Sequence, residues 1–480
     1  MALLALVAGA ALLRFLTLDV QSLSNDEAFT AAIAAGDPGS VFASVKSTES
    51  TPPLYYLLAW AWEKPPGGGE TGMRLLPALL GTLLVPATWA AAHETLPRRS
   101  ALIAALLVAV SPLLVWYSQE ARAYALLALL STLGFLFFVR GLRGGGRGQR
   151  GGGRDLALWS LCSALAVATH YFAVFPVAAE GLWLLLARRE ARARVLAACV
   201  PPALVGGALL PLLVHQEEHV PRAWTEAFTL WDQLRALVQQ AAVGPRWTWL
   251  VQRPGVLAIG ALAAAALALL AWRATAAERR GALPAAVVGL STVVAPIVIS
   301  LFGANLVATR NLIAAWPLAA IVAAAGLGAE PARRTGAVLT GALCAVMLAI
   351  VVAVPLEPRL QRSDWEELMA RTGPPGPGQA VAVLRGFENS RVAAYYLPGG
   401  GVRPGDPVVR ATELVVVGDP RAAPRAFELP PAPGFALVES ERVDDLALAR
   451  FRSDGPVEVP ATGLHGTAEL VVHDHVHRRR

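Results

Sequence analysis

Eleven apolar runs divide the first 355 residues, and they constrain the fold more than any other feature of the chain. They cover 2–18, 75–92, 101–116, 121–139, 156–169, 171–187, 195–214, 255–272, 284–302, 311–329 and 335–355. Many reach or approach the ~18–20 residues a helix needs to cross a ~30 Å hydrocarbon core. Only 16% of the chain is charged, against about 25% in soluble domains. These features predict a polytopic membrane helix bundle of about 11 spans.

Loop charge decides how the runs alternate. The stretch Leu156 to Leu186 is nearly continuous and short for two crossings. Treated as two spans turning near His170, it puts every arginine-rich connection on one side. These connections carry Arg98 and Arg99, Arg140 to Arg154, Arg188 to Arg194, Arg273 to Arg280, and Arg333 with Arg334. Treated as one span, it splits "RGLRGGGRGQRGGGR" from "RREARAR" across the bilayer, which the positive-inside rule disfavours. The expected topology has the N-terminus cytoplasmic and the C-terminal part outside. Ala2 to Leu18 lacks a basic leader and a small-residue cleavage site, so it is expected to stay as the first span. The net charge of +6 then reports topology, and no nucleic-acid partner is implied. Cys162, Cys199 and Cys344 lie in apolar runs and are expected to be small buried hydrophobes.

Two outer segments are more than loops. The first outer loop, 19–71, contains "STPPLYYLLAWAWEKPPGGGE", in which Leu54 to Trp62 is too short to span but has the Tyr and Trp content of an interfacial helix. The second, 215–254, is expected to hold a surface helix at about Asp232 to Ala242. After Pro355 the chain becomes polar and Pro/Gly-punctuated. "SDWEELMART" predicts a helix capped by Ser363. "QAVAVLRG" and "ELVVVGD" predict buried strands, "NSRVAAYYL" a helix between them, and "FALVESERVDDLALARFRS" a terminal hairpin. The expected domains are 1–355 in the membrane and 356–480 as a small extracytoplasmic α/β domain. The tail "HDHVHRRR" reads as a solvated end.

Polar groups converge at the outer ends of the spans. They are Asp26 and Glu27 after the first, Tyr117, Glu120, Arg122 and Tyr124 between the third and fourth, His170 and Tyr171 between the fifth and sixth, and Arg310 with Asn311 before the tenth. Ionisable groups at bilayer depth cost about 2.5–3.5 kcal/mol on insertion scales, so they usually face a cavity or one another. Asp26 and Glu27 have the chemistry of a general base or of a divalent-cation ligand. Arg122 and Arg310 suit a phosphate. His170 and the tyrosines suit sugar hydroxyls or phosphate oxygens. Each has a plainer alternative: a DE pair favours a helix N-terminus, Glu120 can pair with Arg122, Arg310 can snorkel, and His170 can be a turn residue. Together they predict a pocket for a lipid-tailed phosphosugar.

At these residues the sequence resembles the GT-C membrane glycosyltransferases, and most closely the protein O-mannosyltransferase-like group (glycosyltransferase family 39) with the bacterial aminoarabinose transferases. "NDEAFTAA", "TPPLYYLL", "SPLLVWYSQEARAYALLALL", "THYFAVF", "TRNLIAAWPLAA" and "RSDWEELM" carry the resemblance. It implies a catalytic Asp at Asp26 with Glu27 beside it, and a polyprenyl-phosphate-linked sugar donor entering from the bilayer. Inversion at the anomeric carbon and an acceptor that is a protein, glycan or lipid are also implied. It leaves a divalent cation, Mg or Mn, undecided as a cofactor. The expected location is a bacterial plasma membrane. A transporter or flippase of a lipid-linked sugar is the main alternative; it would place ionisable groups near the bilayer midplane.

Overall fold

The computed structural model describes all residues except 64–67, 144–150, 220–227, 246–248, 304–305, 374–377, 385–389, 398–399, 403–407, 422–423, 461–467 and 474–480. Most of the "HDHVHRRR" tail lies outside the described residues. The chain divides into two compact units, one formed by Met1–Leu18 with Ile33–Leu356 and the other by Asp19–Ala32 with Glu357–Arg480.

In the first unit every apolar run falls on a helix. These are Ala2–Phe15, Gly69–His93, the pair Arg98–Val110 and Pro112–Ser118, Tyr124–Arg143, Gly151–Thr169, Val174–Ala187, Arg192–His219, Trp249–Trp272, Ala276–Ser300, Ala315–Leu327 and Arg333–Leu356. Among the described residues six helices are long and apolar enough to cross a membrane, or seven if the bent pair is one span. The expected count of about 11 is thus not reached by length. Ala2–Phe15 has 14 residues and Ala315–Leu327 has 13, short of the ~20 a crossing needs. His170 does separate two helices, Gly151–Thr169 and Val174–Ala187, with a short 3-10 turn between them.

The bent pair shows how a polar residue enters the bundle. Pro112 has no N–H to offer the carbonyl one turn back, so the helix breaks there, with a bend of 57°. The buried Arg14 guanidinium takes up the released acceptors: it donates to Val108 O at 3.2 Å and Ala109 O at 3.0 Å. Its Nε also donates to Ser118 Oγ at 3.2 Å. Gln119 reciprocates by donating to Leu13 O and Arg14 O, both at 3.2 Å, and to Thr17 Oγ1 at 2.7 Å. The first helix and the bend therefore hold each other.

The arginine-rich connections meet at one end of this unit. Arg140 and Arg143 both bond Glu94 at 2.8 Å. Arg188 donates to Gly141 O at 2.7 Å, and Arg99 to Arg333 O at 2.6 Å. Glu278 accepts from Glu330 N at 3.1 Å. The helix Tyr124–Arg143 runs from this end through 20 residues, about 30 Å at 1.5 Å per residue, so Tyr124 lies at the opposite end. Leu54–Trp62 is a helix as expected, and Leu230–Val243 is opened by a capping box between Thr229 and Asp232.

The second unit is α/β. Its strands are β1 (Gln379–Leu384), β2 (Gly400–Val402), β3 (Val408–Gly418), β4 (Ala436–Val443), β5 (Leu446–Pro460) and β6 (Ala468–His473), in the order β2-β6-β1-β3-β5-β4. β1 and β3 are parallel, which requires a crossover, and the helix Ser390–Tyr396 lies in it. The expected hairpin is β4 and β5, antiparallel. It is not terminal, because β6 follows and pairs with β1 and β2. Leu414, Val416 and Phe451 fill the core. The helix Trp365–Ala370 is capped by Asp364, not Ser363: Asp364 Oδ1 accepts from Glu367 N at 3.0 Å, while Ser363 donates to Asp445 at 3.2 Å. By sequence, 19–32 belongs with the membrane domain; in the structure this segment packs within the C-terminal unit.

Candidate functional site

The expected site residues fall into two groups, one in each unit. In the membrane unit, Tyr117 closes the short helix Pro112–Ser118 and Tyr124 opens the next, with ring centroids 4.9 Å apart at 64°. Tyr124 faces His170 at 6.1 Å. The intervening turn is apolar-walled and buried, and each of its charges has a fixed partner. Arg122 grips Glu49 through two parallel bonds, Nη1 to Oε1 and Nη2 to Oε2, both at 2.8 Å. Its guanidinium also lies 5.6 Å from the Tyr56 ring centre, and Tyr56 and Thr51 hydroxyls are 3.0 Å apart. Glu120 accepts from Trp116 Nε1 at 3.2 Å.

His170 is 2% exposed. Its Nδ1 accepts from Phe172 N at 3.3 Å and so caps the 3-10 turn Tyr171–Ala173. In the neutral imidazole that bond leaves the hydrogen on Nε2, and Nε2 has no hydrogen-bond partner among the described residues. Burial, followed by the nearby positive charges of Arg122 and Arg310, pushes the imidazole down to about 3. It is therefore neutral at physiological pH, a donor directed by its own backbone contact. Tyr171 donates to Gln216 Oε1 at 2.8 Å, and Gln216 Nε2 donates to Val45 O and Thr51 O at 3.0 and 3.3 Å. Arg310 and Asn311 are half-buried in the 3-10 turn Thr309–Leu312. Beside them, the Thr309 hydroxyl is buried without a hydrogen-bond partner among the described residues.

The carboxylate group sits in the other unit. The stretch Ser24-Asn25-Asp26-Glu27 forms a capping box at the start of the helix Asn25–Ala34. Ser24 N donates to Glu27 Oε2 at 2.9 Å, and Glu27 N donates to Ser24 Oγ at 3.2 Å. Glu27 is fully buried and also receives Arg362 Nη1 at 2.6 Å. Asp26 is half-buried in the same first turn. Glu27 Oε2 is thus shared by the Ser24 amide and the Arg362 guanidinium. No cluster of three or more His, Cys, Asp or Glu gathers among the described residues.

Sequence reasoning missed Glu49, Tyr56, Gln216 and Arg362. Glu49 was visible as a lone acid ahead of "STPPLYYLL", but its partner is 73 residues away. Arg362 stood in the quoted "RSDWEELM" without a role.

The fold and these groups define a polytopic membrane protein with an α/β domain and a cationic, aromatic site at one end of its bundle. Comparison with known proteins narrows the class. Residues 50–215 match the family Dolichyl-phosphate-mannose-protein mannosyltransferase. The structure of ArnT from Cupriavidus metallidurans bound to undecaprenyl phosphate is similar to 93% of this chain over 97% of its own, with TM-score 0.60 and 14% identity. Its apo form matches equally, at 15% identity. The Archaeoglobus fulgidus oligosaccharyltransferase with Zn and sulfate covers 82% of this chain over 61% of its own, with TM-score 0.53 and 14% identity. No curated protein sequence matches the chain. The segment match and the shared fold bear out the resemblance to GT-C membrane glycosyltransferases.

Proposed function

We propose that this chain is an integral membrane glycosyltransferase that moves a sugar from a polyprenyl phosphate to an acceptor on the extracytoplasmic face of the plasma membrane. The reading is carried by the near full-length fold similarity to ArnT holding undecaprenyl phosphate. Asp26 takes the proton of the acceptor as the acceptor oxygen or nitrogen bonds to the anomeric carbon. The bond from that carbon to the phosphate oxygen breaks on the opposite face, and polyprenyl phosphate leaves with the electron pair. Such a step needs a base for the nucleophile and positive groups for the leaving phosphate.

The local geometry refines which groups suit the phosphate. Arg122 is held bidentately by Glu49, which fixes the direction of its guanidinium. Arg310, with His170 Nε2–H and the Thr309 hydroxyl, has the charge and donors that an anion requires. Arg122 is better suited to hold the outer loop at Glu49. Tyr117, Glu120, Tyr124, Tyr171 and Asn311 are proposed as pocket groups for the sugar. The flippase alternative calls for ionisable groups inside the bundle. Among the described residues, Arg14, Arg74 and Glu180 are buried ionisable groups on bundle helices with partners there: backbone carbonyls for the two arginines and Trp159 Nε1, at 2.8 Å, for Glu180.

Purified protein in proteoliposomes, given radiolabelled polyprenyl-phosphate sugars and membrane extract, should label an acceptor. Asp26→Asn should abolish the label while expression and insertion stay normal. A wild-type protein that transfers no sugar from any donor would sink the function, and an active Asp26→Asn would remove Asp26 from it.

A further inference from the structure

We propose that Arg362 is the positioning residue for the Asp26 turn, so that the C-terminal unit holds the catalytic carboxylate in its working direction. This rests on Asp26 serving as the proposed base.

Within this unit the segment 21–29 is tied at Gln21, Ser22, Leu23, Glu27 and Phe29. Gln21 Oε1 accepts from Arg362 N at 3.0 Å. Ser22 Oγ donates to Asp364 Oδ1 at 2.8 Å and accepts from Glu366 N at 3.2 Å. Leu23 N donates to Tyr396 Oη at 2.8 Å. Glu27 meets Arg362, and the Arg391 guanidinium lies 4.4 Å from the centre of the Phe29 ring. Three elements, the stretch 362–366, the helix Ser390–Tyr396 and the capping box, therefore converge on one turn.

Glu27 is the joint of this arrangement. One carboxylate oxygen, Oε2, receives both the N-cap amide of Ser24 and the guanidinium of Arg362. Once Glu27 is pinned, the direction of the preceding residue follows, since neighbours on a helix differ by about 100° around its axis. A buried ion pair is weak evidence for stability, because desolvation offsets its attraction. The Arg362 side chain is 8% exposed and Glu27 is 0% exposed. What such a pair supplies is direction, and removing one partner orphans a buried charge.

The test uses the full chain in proteoliposomes, with Arg362→Met, Arg362→Lys and the double variant Arg362→Met with Glu27→Gln. Arg362→Met should lower kcat by up to about 100-fold, as small misplacements of reacting groups do, with the donor KM nearly unchanged. Hydrogen exchange at 21–32 should rise while β3 and β5 keep their protection. The double variant should regain protection because no charge is orphaned, and Arg362→Lys should fall between. A merely structural role would move β3 and β5 together with 21–32. Unchanged exchange at 21–32 in both single variants would overturn the proposal whatever the activity. A wild-type chain without transferase activity would instead count against the function, and the exchange result would still decide the tether.

Discussion

At the scale of single residues, the site is built from pairs that hold each other. Arg122 and Glu49 form a buried bidentate pair across 73 residues of sequence. Removing one partner of such a pair leaves an uncompensated charge and costs about 3–5 kcal/mol. Glu49→Ala should therefore lower the thermal stability of the detergent-solubilised protein sharply. Glu49→Gln with Arg122→Met should recover most of that loss, and a double variant no better than the single would contradict the account. The helix start was legible in the DE pair at 26–27, but the Ser24–Glu27 capping box was established only by the structure. Arg362 as its third member was not legible either, because nothing local links residues 335 apart. His170 is similar: a histidine at a break between apolar runs stands out in sequence, but which nitrogen carries the hydrogen depends on its contact with Phe172 N.

At the scale of elements, two predictions concern how helices and strands keep their geometry. The bend at Pro112 exposes two carbonyls that Arg14 satisfies. Arg14→Met should cost about 1–3 kcal/mol, the usual desolvation penalty of unsatisfied buried acceptors, read as a lower melting temperature. In the α/β unit, Glu413 on β3 accepts from Arg450 at 2.5 Å, Arg452 at 2.8 Å and Gln379 at 2.9 Å. Burial pushes its carboxyl up, but these three donors outweigh that and leave it below the usual value of 4.5. The unfolded chain thus binds the proton first as pH falls. The contribution to stability is complete above about 4.5 and is lost as pH drops through the lower folded value. Glu413→Gln should flatten this acid limb in melts taken between neutral pH and pH 3. β1, β3, β4 and β5 were readable from their apolar runs, and so was the helix between β1 and β3, whereas β2 and β6 were not. Nor was the place of β6 between β2 and β1, since pairing partners lie far apart in sequence.

At the scale of the whole molecule, parity of the spans is the decisive quantity. Eleven or seven crossings put the two termini on opposite sides of the membrane, and six put them on the same side. Single cysteines placed before Ala2 and at an exposed position of β4 should label from opposite faces with an impermeant reagent, in line with the arginine-rich connections lying together. Labelling from one face would rule out the odd counts. By itself the sequence determined what local physics determines: apolar runs of helical length, the side on which arginine collects, the break at His170, and four of the strands after Pro355. Tertiary structure alone decided which charges meet, because Glu49 finds Arg122 and Glu27 finds Arg362 only after distant elements have packed. It likewise assigned 19–32 to the C-terminal unit, where hydrogen bonds from 362–366 and Tyr396 satisfy a segment whose own residues specify only a helix start.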